Sequence, residues 1–131
     1  MGFKQQKKAT FTAPVKYDLP GDMGQRITGE FIGTFARLTT TEVEDMLKGC
    51  GTGEIKDAQV VERTFRGWGE DVTDESDAPW PFNEDNLKEF LEQNLGMRSC
   101  IAKAFFDNYV FAPAKNSAAP SVTSSAQTPS V

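Results

Sequence analysis

The hydrophobic period of this chain changes once, near residue 38, and that change limits the fold more than any other feature. Before it, residues 9–17, "ATFTAPVKY", place Phe11, Ala13, Val15 and Tyr17 on one side and Thr10, Thr12 and Lys16 on the other. A period of two belongs to a β-strand with one buried face. Pro14 marks an edge strand, because proline has no N–H to give a neighbour's ladder. "DLPGDMG" is turn sequence, and "QRITGEFIGTFARL" alternates again, with Ile27, Phe31 and Phe35 opposed to Thr28, Glu30 and Thr34. Together these segments predict an antiparallel β-hairpin. Gly29 and Gly33 fall on its large-residue face, where a strand bends or another backbone comes close. A two-stranded ribbon is marginal alone, so it packs on helices or pairs with another copy.

Beyond residue 38 the period becomes helical. Thr39 followed by Glu42 fits a capping box, in which hydroxyl and carboxylate satisfy each other's free amides. Val43, Met46 and Leu47 make one apolar stripe, and "GCGTG" stops the helix. A second helix is expected over about residues 54–66, its stripe formed by Ile55, Ala58, Val61, Phe65 and Trp68. Asn83 caps a third, with Glu84 and Asp85 in the first turn, where the helix dipole favours them. Leu87, Phe90, Leu91 and Leu95 form its buried face until Gly96 breaks it. A fourth helix follows over about residues 97–111, carrying Ile101, Phe105 and Tyr109. The fold class is therefore α+β: an N-terminal hairpin, then about four short helices. Residues 1–8 read as a flexible start and 9–111 as one domain. The segment from 112 to 131, rich in Pro, Ser and Ala, reads as a disordered tail, since it has too little apolar surface to offset the entropy of ordering.

Several function classes are excluded by composition. The chain has 131 residues, enough for one modest core. A net charge of −5 disfavours nonspecific nucleic-acid binding, which needs a basic surface to displace counterions. No apolar run reaches the ~18 residues of a membrane span, and "MGFKQQKK" is followed by no signal core. Myristoylation would need Ser or Thr where Gln6 stands. Histidine is absent, which removes His-based nucleophilic catalysis and the commonest zinc ligand. Cys50 and Cys100 form no CxxC pair and read as reduced thiols of a cytoplasm, Cys100 as a small core residue.

The acidic stretch "RGWGEDVTDESDAPWPFNEDN", residues 66–86, raises a choice between a metal site, a catalytic acid pair and a solvated loop. The spacing of Asp71, Asp74, Glu75 and Asp77 does not fit a calcium loop, and no glycine stands at the sharp turn. A catalytic pair needs rigid support that a loop ending in "APWPF" does not offer. A solvated loop is the reading that remains, with no metal, no cofactor and no catalytic residue. "GCGTG" lacks the lysine of a phosphate-binding loop. Trp68 continues an apolar stripe and reads as core. Trp80, held between Pro79 and Pro81, either folds back as a lid or anchors a partner. The fourth helix has more apolar residues than one face can bury, which points to coverage by another chain. Trp80, Phe82, Phe106, Tyr109 and Val110 are the candidate partner-binding residues.

One family resemblance gathers these segments. "GEFIGTFARLTTTEVEDML", then "VVERTFRGWGEDVTDESDAPWPFNEDNLKEFLEQNLGMRSCIAKAFFDNY", then "AKN" and a polar tail, resemble the tail assembly chaperones of bacteriophages with long flexible tails. No single piece of the pattern is diagnostic; the whole is. The resemblance implies a non-enzymatic protein of the host cytoplasm that self-associates and binds the tape-measure protein. It would keep that protein soluble while tail-tube protein polymerises around it, and be absent from the mature virion. A longer form made by ribosomal frameshifting is common in the family. The rival expectation is a minor structural virion protein, a tail or neck subunit.

Overall fold

The computed structural model describes residues 2–5 and 8–111. The expectation for 112–131 lies outside the described residues, as does part of that for 1–8. The architecture is α+β. Strands β1 (Thr10–Pro20) and β2 (Arg26–Ala36) form the N-terminal hairpin, joined by a short turn at Asp22–Gly24. They pair in unbroken register from Thr10 opposite Ala36 to Pro20 opposite Arg26. Met23 and Gly24 take positive φ in the turn, 54° and 78°, which lets so tight a connection close.

The hydrogen bonds flanking the hairpin fix the phase of its ladder. Arg37 N–H donates to Ala9 O at 2.9 Å, and Gly21 N–H donates to Gln25 O at 2.8 Å. Bonded pairs alternate along antiparallel strands, so odd-numbered residues of β1 bond to β2 and even-numbered ones face outward. Pro14 is even. Its missing N–H therefore falls on the open edge of β1, an edge strand as the sequence indicates.

The hairpin is not two-stranded, which corrects the expectation for the second helix. Helix α2 spans only Asp57–Thr64, and Phe65–Trp68 forms β3, pairing with Gly33, Thr34 and Phe35 of β2. Tertiary pairing overrides the helical spacing here, because β2 would otherwise leave buried backbone groups without partners. Arg66 completes the switch. Its guanidinium donates to the carbonyls of Glu62, Arg63 and Phe65, capping the end of α2. The buried face of α2 is Val60, Val61 and Thr64, and Ala58 is exposed.

Helix α1 (Thr40–Thr52) opens on the expected capping box: Thr39 N–H donates to Glu42 Oε1 at 2.8 Å and Glu42 N–H to Thr39 Oγ1 at 3.2 Å. It ends at Gly53, φ 84°. Helix α3 (Glu84–Gln93) starts at Asn83, whose side chain accepts from Asn86 N–H at 2.8 Å. Gly96, φ 94°, separates it from α4 (Met97–Phe105). The fourth helix is shorter than its spacing implies. A single π turn, Phe106–Val110, follows it, closed by Phe111 N–H to Phe106 O at 2.7 Å.

The core lies between the sheet and α2 and α4. Val15, Phe35, Ile101 and Phe105 are fully buried within it, and Met46, Val60 and Phe65 nearly so. The two strand glycines make room for side chains and not for backbones. A Cβ on Gly33 would stand 2.9 Å from the Phe65 ring, and one on Gly29 would overlap the Tyr17 hydroxyl.

Candidate functional site

The acidic stretch resolves into a small, well-bonded loop. Trp80 N–H donates to Val72 O at 2.9 Å and Asp74 N–H to Ala78 O at 2.8 Å, with Thr73 bridging Pro79. Asp74 turns its carboxylate inward to accept from Ser76 and Ala78 N–H, ordinary aspartate turn chemistry. Asp71 accepts from Ile32 N–H at 2.9 Å, so it ties the loop to β2 just beyond β3. Among the described residues, no three Asp, Glu, Cys or His side chains stand together as a metal site.

Of the two readings of Trp80, the structure shows the lid. Its ring stacks on Trp68 at 5.5 Å, and its carbonyl accepts from the Trp68 indole N–H at 2.6 Å. Trp68 also meets Phe82 edge-on at 4.8 Å and Phe90 at 4.9 Å. Trp68 is core, as its place in the sequence implies, though on a strand and not a helix. Tyr109 stacks on Phe11 at 4.8 Å, and its hydroxyl both donates to Leu38 O at 2.6 Å and accepts from Leu38 N–H at 3.0 Å. Phe106 and Val110 are half-buried against the same core. The apolar surplus of α4 and its π turn is thus largely covered by this chain itself, which corrects the inference that another chain must cover it. Phe111, 62% exposed, is the part left open.

The five candidate residues do not form one surface. Trp80 and Phe82 sit at one end of a chain of ring contacts that passes through Phe65, Phe35 and Phe105 to Phe106 and Tyr109 at the other. A more open site lies elsewhere. A cleft of about 400 Å³ runs between the distal half of the hairpin and the α3–α4 junction. Leu19, Phe31, Phe90 and Met97 give it an apolar floor; Ile27 and Leu95 border it, 53% and 78% exposed. Glu30 and Asp71 make one side of the rim acidic, and Gln93 and Asn94 supply amides.

Neither Ile27 nor Leu95 stands out in the sequence, because both occupy positions that periodicity assigns to the core. The signal was the place of each: Ile27 lies three residues from the hairpin turn, and Leu95 lies beyond the last turn of α3, beside Gly96. Cys50 is half-buried; burial first, then the negative charge of Asp57, raises its thiol pKa, with Arg63 acting against them. That environment opposes thiolate formation and does not make a nucleophile. Compared with protein-family models, curated proteins and solved structures, the chain matches none. No described helix is long and apolar enough to cross a membrane.

Proposed function

We propose that this protein is a tail assembly chaperone of a long-tailed phage, a non-enzymatic protein that holds helical segments of the tape-measure protein in the cytoplasm and leaves before the particle is complete. The observation that carries the reading is the cleft with Ile27 and Leu95 on its border. Large apolar side chains exposed together around a concave apolar floor mark a docking surface. An amphipathic helix enters such a groove with anchors spaced three, four and seven residues apart. The sequence resemblance supplies the identity of the client, and the cleft supplies its means of attachment.

The test is co-expression of the full chain with a fragment of the tape-measure protein of the same phage. The double variant Ile27→Ser, Leu95→Ser should leave the melting temperature within a few degrees of the parent. Capture of the fragment should fall at least tenfold, the loss of two apolar anchors at about 1.4 kcal/mol or more in total. Undiminished capture by the folded double variant moves the client off this cleft. Mass spectrometry of purified particles then separates a chaperone, which is missing, from a tail or neck subunit, which is present at fixed stoichiometry.

A further inference from the structure

The sheet has two open edges, and they differ. On β1 the outward-facing positions are Thr10, Thr12, Pro14, Lys16, Asp18 and Pro20, so two of six carry no N–H. Proline and lysine on an edge are common protections against unwanted strand pairing. On β2, β3 covers only Gly33, Thr34 and Phe35, and the Asp71 carboxylate takes the N–H of Ile32. That leaves Arg26, Thr28 and Glu30, the next even positions, with both backbone groups turned outward and no proline among them. All three are exposed.

We propose that this open edge pairs with the same edge of a second copy, antiparallel and centred on Thr28. In that register Thr28 faces Thr28 of the other copy, and Arg26 of each faces Glu30 of the other. The phase is the required one, because only even-numbered residues have free backbone groups to exchange. The charges are complementary as well. Lys16 stands opposite Glu30 within the hairpin, and Arg26 pairs with Asp18 at 2.8 Å. Pairing across the two-fold therefore sets Lys16, Glu30 and then Arg26 of the second copy in one cross-strand row of alternating sign. Arg26 donates through Nε and one terminal nitrogen to Asp18; that pair is exposed and contributes little, so on pairing the guanidinium swings from Asp18 to Glu30 of the second copy. Opposite charges and facing threonines are favourable cross-strand pairs. Registers centred on Ile27 or Gly29 bring no such pair together. The length also fits, since the partner strand reaches its own turn at the level where Asp71 closes the edge. Residues facing each other in an antiparallel pair point to one side of the sheet, so the two clefts, each bordered by Ile27, open on the same side of the joined sheet. The pairing stands whatever occupies those clefts.

Cross-linking tests the register directly. Hydrogen-bonded partners in an antiparallel pair have Cα atoms about 5.5 Å apart, within the roughly 4.4–6.8 Å that a disulfide spans. In full-length protein with Cys50→Ser and Cys100→Ser, Thr28→Cys should form a covalent dimer under mild oxidation, and Thr12→Cys, on the β1 edge, should remain monomeric. Equal cross-linking at the two positions, or none at Thr28→Cys, overturns the proposal. Sedimentation equilibrium gives the second reading. Wild-type protein should dimerise weakly at high micromolar concentration. Glu30→Arg alone should weaken that association about tenfold, by setting like charges opposite each other twice. Adding Arg26→Glu should restore it. A double variant that melts like the parent but stays monomeric, or an association indifferent to Glu30→Arg, removes the Thr28-centred register.

Discussion

The two halves of the β-hairpin share one sequence period and differ in what lies over them. Near its base, Phe11, Val15 and Phe35 face α4 and β3, Phe31 meets Phe90 of α3, and Val15 and Phe35 are wholly buried. Toward its turn, the same face keeps Leu19 buried at the bottom of the cleft but leaves Tyr17 only half-buried, Ile27 exposed, and beyond them Met23, 98% exposed. Alternation records that a segment is a strand and which side is apolar. It does not record how far along the strand a cover extends, because helices distant in sequence supply the cover. The uncovered half is where a second chain can act, as client in the cleft or as a copy along the edge.

The largest effect should come from the covered half. Phe35→Ala removes a ring that touches Phe11, Phe65 and Phe105, and the expected loss is about 3–5 kcal/mol in a urea titration. Ile27→Ala, the same kind of truncation eight residues earlier on the same face of β2, should stay within about 0.5 kcal/mol, as exposed positions do. Similar losses at the two positions would mean that the tip is as well packed as the base.

A smaller effect belongs to the fastening of the base. Tyr109→Phe keeps the ring stacked on Phe11 and removes only the hydroxyl that serves both backbone groups of Leu38. The cost should be about 1–3 kcal/mol, since those groups then lack a partner in a part-buried place. Hydrogen exchange at Leu38 should rise with it. A variant with unchanged stability and exchange would show that water replaces the hydroxyl and that the π turn is not what holds the base.

Local chemistry was legible in the sequence wherever it decided the structure. The Thr39–Glu42 box, the Asn83 cap, the stops at Gly53 and Gly96 and the outward place of Pro14 all follow from neighbouring residues. Long-range competition was not. Phe65 and Trp68 have helical spacing from Ile55, yet they become strand because β2 offers unpaired groups that no local signal announces. The surplus of aromatic residues after Ile101 pointed outward in sequence and inward in space, for Leu38, 71 positions back, and Phe11, further back still, receive Tyr109. The site suffered most. Trp80 and Phe82 drew attention as aromatic residues and proved to be packed on Trp68, whereas Ile27 and Leu95 are ordinary apolar residues made available by where the cover ends.

Two glycines on one face of β2 turn this contrast into a single substitution made twice. Replacing a strand glycine by alanine gains about 0.5–1 kcal/mol, because the unfolded chain loses freedom and φ is not positive at either site. What opposes the gain is the space for one methyl. At Gly33 the new Cβ would meet the Phe65 ring at 2.9 Å, the Phe35 ring at 3.1 Å and Val15 at 3.2 Å. All three are buried and have nowhere to move, so overpacking by about 1–3 kcal/mol should win. At Gly29 the obstacle, the Tyr17 hydroxyl, is nearer still. It is also the far end of a half-exposed side chain, and a rotation about χ1 can carry the ring into solvent. Gly29→Ala should therefore leave stability within about 0.5 kcal/mol of the parent. Gly33→Ala should lower it clearly, both read from urea midpoints at constant slope. The shorter contact should have the smaller consequence, and a loss at Gly29 equal to that at Gly33 would show that Tyr17 is held as firmly as the core.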